Sequence, residues 1–176
     1  MQQIRLLLSL FLIILLNGCS NMKPEDYKNT EPKIKIEEYF AGNIKAWGIF
    51  QDRSGKVKRQ FTAKMEGSFD GKILILNEDF SWNDGEKQKR EWIIKKVEDN
   101  KYEGTAPDVI GVAKGVSQGS AFKFEYNLLI PFKDKKIKVR FDDWIFKQDD
   151  KVAINRAIVS KFGFKVGELT VFFVKD

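Results

Sequence analysis

The stretch from Lys72 to Val97, KILILNEDFSWNDGEKQKREWIIKKV, has little freedom in how it folds. Its middle, Asn83-Asp84-Gly85, supplies the short polar side chains and the glycine that a tight turn with φ > 0 requires. On the inbound arm Leu74, Leu76, Glu78, Phe80 and Trp82 recur at period two; on the outbound arm Arg90, Trp92 and Ile94 do the same. A period of two puts each set on one face of an extended strand. The stretch therefore reads as a β-hairpin with one apolar face, into which two charged residues, Glu78 and Arg90, intrude.

The same grammar continues along the chain. From Ile44 onward the apolar runs are short, alternating and rich in Val, Ile, Phe, Trp and Tyr, with turn signals between them. They predict strands over 44–51, 57–67, 72–82, 89–97, 101–106, 109–116, 120–131, 136–146, 151–160 and 168–175. About ten hairpin-linked strands make an antiparallel meander, and closing such a meander into an up-and-down barrel removes its exposed edges. The expected fold class is thus all-β, an antiparallel barrel spanning 34–176, with a β-sandwich as the competing architecture. Residues 34–40 (IKIEEYF) followed by Ala41-Gly42 read as a short helix plugging one end. The row Lys58, Gln60, Thr62, Lys64, Glu66 excludes a lipid-facing wall, because such a row is prohibitively costly in hydrocarbon. The polar face meets water and the apolar face points inward.

Composition removes several classes of function. There is no histidine among the 176 residues and only one cysteine, Cys19, so Ser-His-Asp and Cys-His catalysis, His-bearing metal sites and an internal disulfide are all excluded. Neither a metal nor a cofactor is expected. The net charge is +6, but the lysines are spread over many strands and form no compact basic run, which argues against nucleic acid as a partner.

Residues 1–18 have the layout of a secretory signal, with Arg5 before an eleven-residue apolar stretch, 6–16, broken only by Ser9 and too short to span a bilayer. Leu16-Asn17-Gly18-Cys19 resembles a bacterial lipobox, which implies cleavage before Cys19 and lipidation on it, with membrane attachment through the acyl chains. The lipoprotein family's inner-membrane retention signal is an Asp after that Cys. Ser20 stands there instead, which points to the outer membrane with the domain facing the periplasm. Residues 19–33 are polar with two prolines and read as a tether.

Five of six apolar rows carry one charged residue. Arg59 follows Val57 and precedes Phe61; Glu78 and Arg90 sit in the hairpin; Asp143 follows Phe141; and Arg156 follows Ile154, whereas the row Phe122, Phe124, Tyr126, Leu128 has none. Enclosed and unpaired, each would cost several kcal/mol, so they are expected to find one another or a ligand. Three Arg against two carboxylates leave one cation over. Two readings stand side by side. One is a structural ion-pair network; the other is a polar floor in an apolar cup, with Arg59, Arg90 and Arg156 meeting the anionic end of a fatty-acid-like amphiphile and Trp82, Trp92, Tyr126 and Phe141 lining the rest. An acid–base role for Glu78 with Asp143 is a third, and the chain is read as a non-enzymatic binder. The small-residue stretch 106–115 reads as a tight corner or a pocket mouth.

Several of these segments together resemble a family of bacterial lipoproteins, domain-of-unknown-function family 3833. The residues that carry the resemblance include Tyr39-Phe40-Ala41-Gly42, Gly48 to Gly55, Glu78-Asp79-Phe80, Arg90-Glu91-Trp92, Tyr102 to Ala106, Asp108 to Gly111, Phe141 to Trp144, Asn155-Arg156-Ala157 and Ser160 to Gly163. The resemblance covers nearly the whole domain and implies a lipocalin-like barrel. It implies no established activity. A structural or interaction protein of the envelope, its barrel filled by its own side chains, is the alternative expectation, and protein partners are left open.

Overall fold

A computed structural model describes residues 22–132 and 134–176. The ten strands are β1 (Gly42–Asp52), β2 (Val57–Phe69), β3 (Ile73–Trp82), β4 (Lys87–Glu98), β5 (Lys101–Thr105), β6 (Ala113–Gln118), β7 (Ala121–Phe132), β8 (Lys135–Lys147), β9 (Val152–Lys161) and β10 (Phe164–Lys175). Each pairs antiparallel with its sequence neighbour, and β1 pairs with β10 from Ile44↔Lys175 to Asp52↔Gly167, so the sheet closes into a barrel. Register shifts in β2 against β1, in β10 against β9 and in β4 against β5 supply the local bends that closure needs.

The two ends differ. At one, the single-turn helix α1 (Ile36–Tyr39) plugs the barrel. Buried Glu37 accepts from Lys96 Nζ at 2.9 Å and from Tyr102 Oη at 2.7 Å, while Tyr39 Oη donates to Lys151 O at 2.9 Å. A Cβ on Gly67 would lie 1.8 Å from Phe40 O, so β2 passes the plug with no room for a side chain. Ile34, Ile36, Ile44, Leu74, Tyr102 and Phe122 at this end are all within 2% of full burial.

The chain ahead of the plug does not hang free. A 3-10 turn, Pro24–Tyr27, lies against the outer wall, with Tyr27 packed on Trp144 and Phe146 at centroid distances of 5.6 and 5.4 Å. Thr30 Oγ1 shares a 2.8 Å hydrogen bond with Ser120 Oγ. Trp144 is buried for this reason although it faces outward. The tether expected over 19–33 is in this part a strap on the barrel.

The opposite end carries the other five connections. Phe50, Trp82, Val109, Ile130, Ile137 and Leu169, half-buried, ring this mouth. The segment 106–112, expected to begin a strand at 109, is a loop instead. It folds onto β7 where β6 stops, with Val109 bridged to Leu128, Ile110 N donating to Asn127 O and Leu129 N donating to Asp108 O. That detour turns Asp108 toward the interior.

One row faces the other way from its expected orientation. In β9 the buried residues are Ala153, Asn155, Ala157 and Val159, while Arg156 and Ile158 point out. The bulkier set was expected inside. Aromatic rings from β7 and β8 already fill that side of the interior, so β9 turns its small side chains inward.

Candidate functional site

The polar groups of the interior gather on β3, β4, β7, β8 and the 106–112 loop. Glu78 and Arg90 are direct cross-strand partners on β3 and β4. Arg90 Nη2 and Nε donate to Asp108 Oδ2 at 2.7 and 3.2 Å, while Nη1 stands 3.7 Å from Glu78 Oε2, beyond hydrogen-bond reach. The Arg90 guanidinium also lies 5.7 Å from the centre of the Phe80 ring. On the facing wall, Asp143 accepts from Tyr126 Oη at 2.9 Å and from Asn155 Nδ2. Tyr126 in turn stacks on Phe141 at 5.1 Å with rings nearly parallel.

Burial sets the protonation of the cluster. It pushes the Glu78 carboxyl up to about 7, with Asp108 and Asp143 adding to the rise and Arg90 opposing it. It pushes Asp143 up to about 6, against the hydrogen bonds from Tyr126 and Asn155. Burial and the Asp143 charge likewise hold the Tyr126 phenol well above its ordinary value. Near neutral pH, Glu78 is therefore shared between its charged and neutral forms. Glu78 Oε2 and Asp108 Oδ1, on either side of Arg90, and Trp82 Nε1 nearer the mouth are buried without a hydrogen-bond partner. Four residues of extended chain separate Glu78 from Trp82, which sets the cluster roughly 13 Å along the strand from Trp82 at the mouth.

The nine residues singled out in the sequence fall into three places. Glu78, Arg90, Tyr126, Phe141 and Asp143 meet in the cluster, and Trp92 packs beneath it between Phe124 and Tyr126 at 5.2 and 5.3 Å. Arg59 and Trp82 are at the mouth: the guanidinium lies 4.0 Å over the indole and is held by Asp84 at 2.8 Å and Glu86 at 2.7 Å. Arg156 is on the outer wall, paired with Glu168 at 3.2 Å, because the β9 row faces the other way. Asp108 and Asn155 join the site without having been foreseen. Asp108 lies in the stretch that reads as a corner or mouth, and Asn155 on the face of β9 whose pattern points it to water.

The charge balance of the interior is accordingly reversed. In place of a surplus arginine, Glu78 and Asp108 flank Arg90, and a third carboxylate, Asp143, stands on the facing wall, bonded to Tyr126. A separate groove of about 420 Å³ lies along β1, β2, β3 and β10, with Trp47, Ile49, Thr62, Thr170 and Phe172 among its walls.

A closed up-and-down barrel of ten antiparallel strands, plugged at one end and with a polar cluster in its interior, is a lipocalin-like barrel. The chain belongs to the family described as "Protein of unknown function (DUF3833)", which it matches over residues 13–175. No curated protein matches it. Among solved structures it is similar to the S-type phycobiliprotein lyase of Guillardia theta, at 12% identity and a TM-score of 0.59, over 89% of this chain and 98% of that one. It is also similar to a protein of unknown function from the DUF3598 family of Nostoc punctiforme, at 10% identity and a TM-score of 0.61, over 83% of this chain and 51% of that one. These likenesses concern the fold.

Proposed function

We propose that this chain is a lipid-anchored carrier that takes one small amphiphile into its barrel through the open mouth. The polar end meets Glu78, Arg90, Asp108 and Asp143, and the apolar part lies along Phe80, Trp82, Tyr126, Phe141 and the collar of Phe50, Val109, Ile130, Ile137 and Leu169. The observation that carries this reading is the pair of unpartnered buried acceptors, Glu78 Oε2 and Asp108 Oδ1, on either side of one guanidinium. An unsatisfied buried acceptor costs about 1–3 kcal/mol, which a bound donor returns. The head group is therefore one bearing N–H or O–H donors, an amine or a hydroxyl. A fatty-acid carboxylate, the ligand expected from the inward arginines, would have to displace Asp108 from Arg90 and would meet the Glu78 and Asp143 carboxyls.

Tryptophan fluorescence of the purified chain, titrated with dodecylamine, dodecanol and dodecanoate, tests this order of preference. Saturable binding of the amine or alcohol, weakened at least tenfold in Glu78→Gln, is expected. Preferential binding of dodecanoate would return the ligand to the fatty-acid class, and binding of none would end the carrier reading. Cys19 provides the anchor in this proposal, with the barrel in the periplasm on the outer membrane; it lies outside the described residues.

A second reading is favoured by one observation. Cβ atoms built on Gly48, Gly104 and Gly115 would fall 2.2, 2.5 and 2.8 Å from the rings of Phe61, Phe124 and Phe122. The rings reach the wall itself at these points, as they would in a barrel filled by its own side chains and used as an envelope interaction module. Absence of any co-purifying or titratable small molecule, with a protein partner trapped by crosslinking, would favour it.

A further inference from the structure

The hairpin tips around the mouth are unequal. Those joining β1 to β2, β9 to β10 and β7 to β8 are neighbours on the rim, because β1 pairs with β10 and β9 with β8. Residues 52–58, 131–138 and 160–166 together hold nine Lys and Arg and two Asp, a formal +7, against +6 for the whole chain. The other two connections, 82–87 and 105–113, hold three carboxylates and one Lys. The basic arc also carries the most exposed apolar side chains described: Phe162 at 88%, Phe164 at 77% and Phe132 at 56%, with Val57 and Val166 beside them. Lys161 Nζ lies 5.2 Å from the Phe162 ring centre, a cation directly beside an exposed aromatic.

Phe162 is also in an unsuitable conformation for its type. Lys161 and Phe164 pair across a two-residue turn in which Phe162 has φ +52° and Gly163 has φ +81°. Such a turn favours Asn, Asp or Gly at its first position, and a bulky residue in the left-handed region is a costly choice. A turn in plain water would gain by losing the ring on both counts, strain and exposure.

We infer that these three tips form a docking surface for an anionic phospholipid bilayer, with Phe162, Phe164 and Phe132 entering the headgroup–acyl boundary and the surrounding Lys and Arg contacting lipid phosphates. Aromatic side chains are favoured at that depth, and basic residues beside them are attracted to an anionic surface. The mouth would then open onto the bilayer, a position from which an amphiphile enters or leaves without crossing water. The docking surface does not depend on what the interior binds.

The test uses the full chain carrying Phe162→Trp, with Phe164→Trp as a second reporter. It is mixed with an excess of phosphatidylglycerol–phosphatidylethanolamine vesicles whose acyl chains bear bromine. The N-terminal segment can hold the chain on a vesicle by itself, so the readout is contact of the tip with acyl chains, not retention. Relative to the wild-type chain, the emission added by either substitution should fall at least twofold. The quenching should be lost in brominated phosphatidylcholine vesicles and in the Lys161→Glu, Lys165→Glu background. Unchanged emission at both positions in the anionic vesicles, or equal quenching in neutral ones, overturns the assignment.

Discussion

Arg90 clamps Asp108 through two nitrogens on one oxygen, Nη2 at 2.7 Å and Nε at 3.2 Å, and so pins the 106–112 loop to the barrel interior. Both side chains are largely shielded, at 17% and 25% exposure. Removing one member of such a pair strands the other. Asp108→Ala is expected to destabilise the barrel by about 2–4 kcal/mol in urea unfolding, and Arg90→Met with Asp108→Ala to cost less than Asp108→Ala alone. A double variant less stable than the single one would show that the pair does not act as a unit.

Stability should fall as pH rises through the neutral range. Glu78 is held at about 7 and Asp143 at about 6 in the folded chain, against ordinary values of 4.5 and 3.8. Between each ordinary value and its folded value the native state binds more protons than the unfolded state, so unfolding becomes easier as pH climbs. The contribution is fully present below about pH 4, is lost as pH rises through 6 and 7, and is gone above about pH 8. From pH 5 to pH 8 the loss for Glu78 is about 2–3 kcal/mol. Thermal melting should give a higher Tm at pH 5 than at pH 8, and Glu78→Gln should flatten most of that slope. An unchanged slope in the variant would place the titrating group elsewhere.

Binding and stability should respond oppositely to the same proton. A protonated Glu78 no longer attracts a cation, so the affinity for dodecylamine should drop when pH is lowered from 8 to 5.5, while the apo barrel becomes more stable. Fluorescence titrations at the two pH values separate this from a ligand held by the apolar collar alone, whose affinity would be insensitive to that change.

Replacing Phe162 by Asn should stabilise the barrel by about 1 kcal/mol, since the left-handed conformation at φ +52° suits Asn and strains Phe. Chemical denaturation reads this directly. A loss of stability would mean that the ring makes contacts worth more than its strain.

Gly67→Ala probes the plug. The new Cβ would meet the Phe40 carbonyl oxygen at 1.8 Å, and backbone cannot swing aside as a side-chain tip can. A cost of about 1–3 kcal/mol is expected. It should be accompanied by faster amide exchange at Phe40, whose N–H donates to Ile36 O. Protection there equal to the wild type would show that α1 moves as a rigid cap.

Much of the architecture was readable from residue order. The Asn83-Asp84-Gly85 turn lies between β3 and β4 as its chemistry dictates, and the rows Leu74–Trp82, Arg90–Ile94 and Phe122–Leu128 face inward as their period requires. The short helix after Ile34 was visible too, and it caps the barrel. Arg156 was misplaced because Ile154, Arg156 and Ile158 looked like the apolar row of β9, while the alternative row, Ala153, Asn155, Ala157, Val159, looked bland. Nothing local to β9 tells which row must be small; the rings across the barrel do.

Closure needs β1 to pair with β10 at the far end of the chain, and a sandwich competes until it does. Alternation and turn chemistry are properties of neighbours a few residues apart, so the strands, their hairpin order and the plugging helix follow from sequence alone. The charge of the interior does not. It depends on a loop that folds back onto β7 and delivers Asp108 to Arg90, and on a strand whose facing is chosen by the volume left inside. Those are contacts between residues distant along the chain. Only the closed barrel makes the enclosure acid-rich, and only it gathers three basic, aromatic-tipped hairpins onto one arc of its rim.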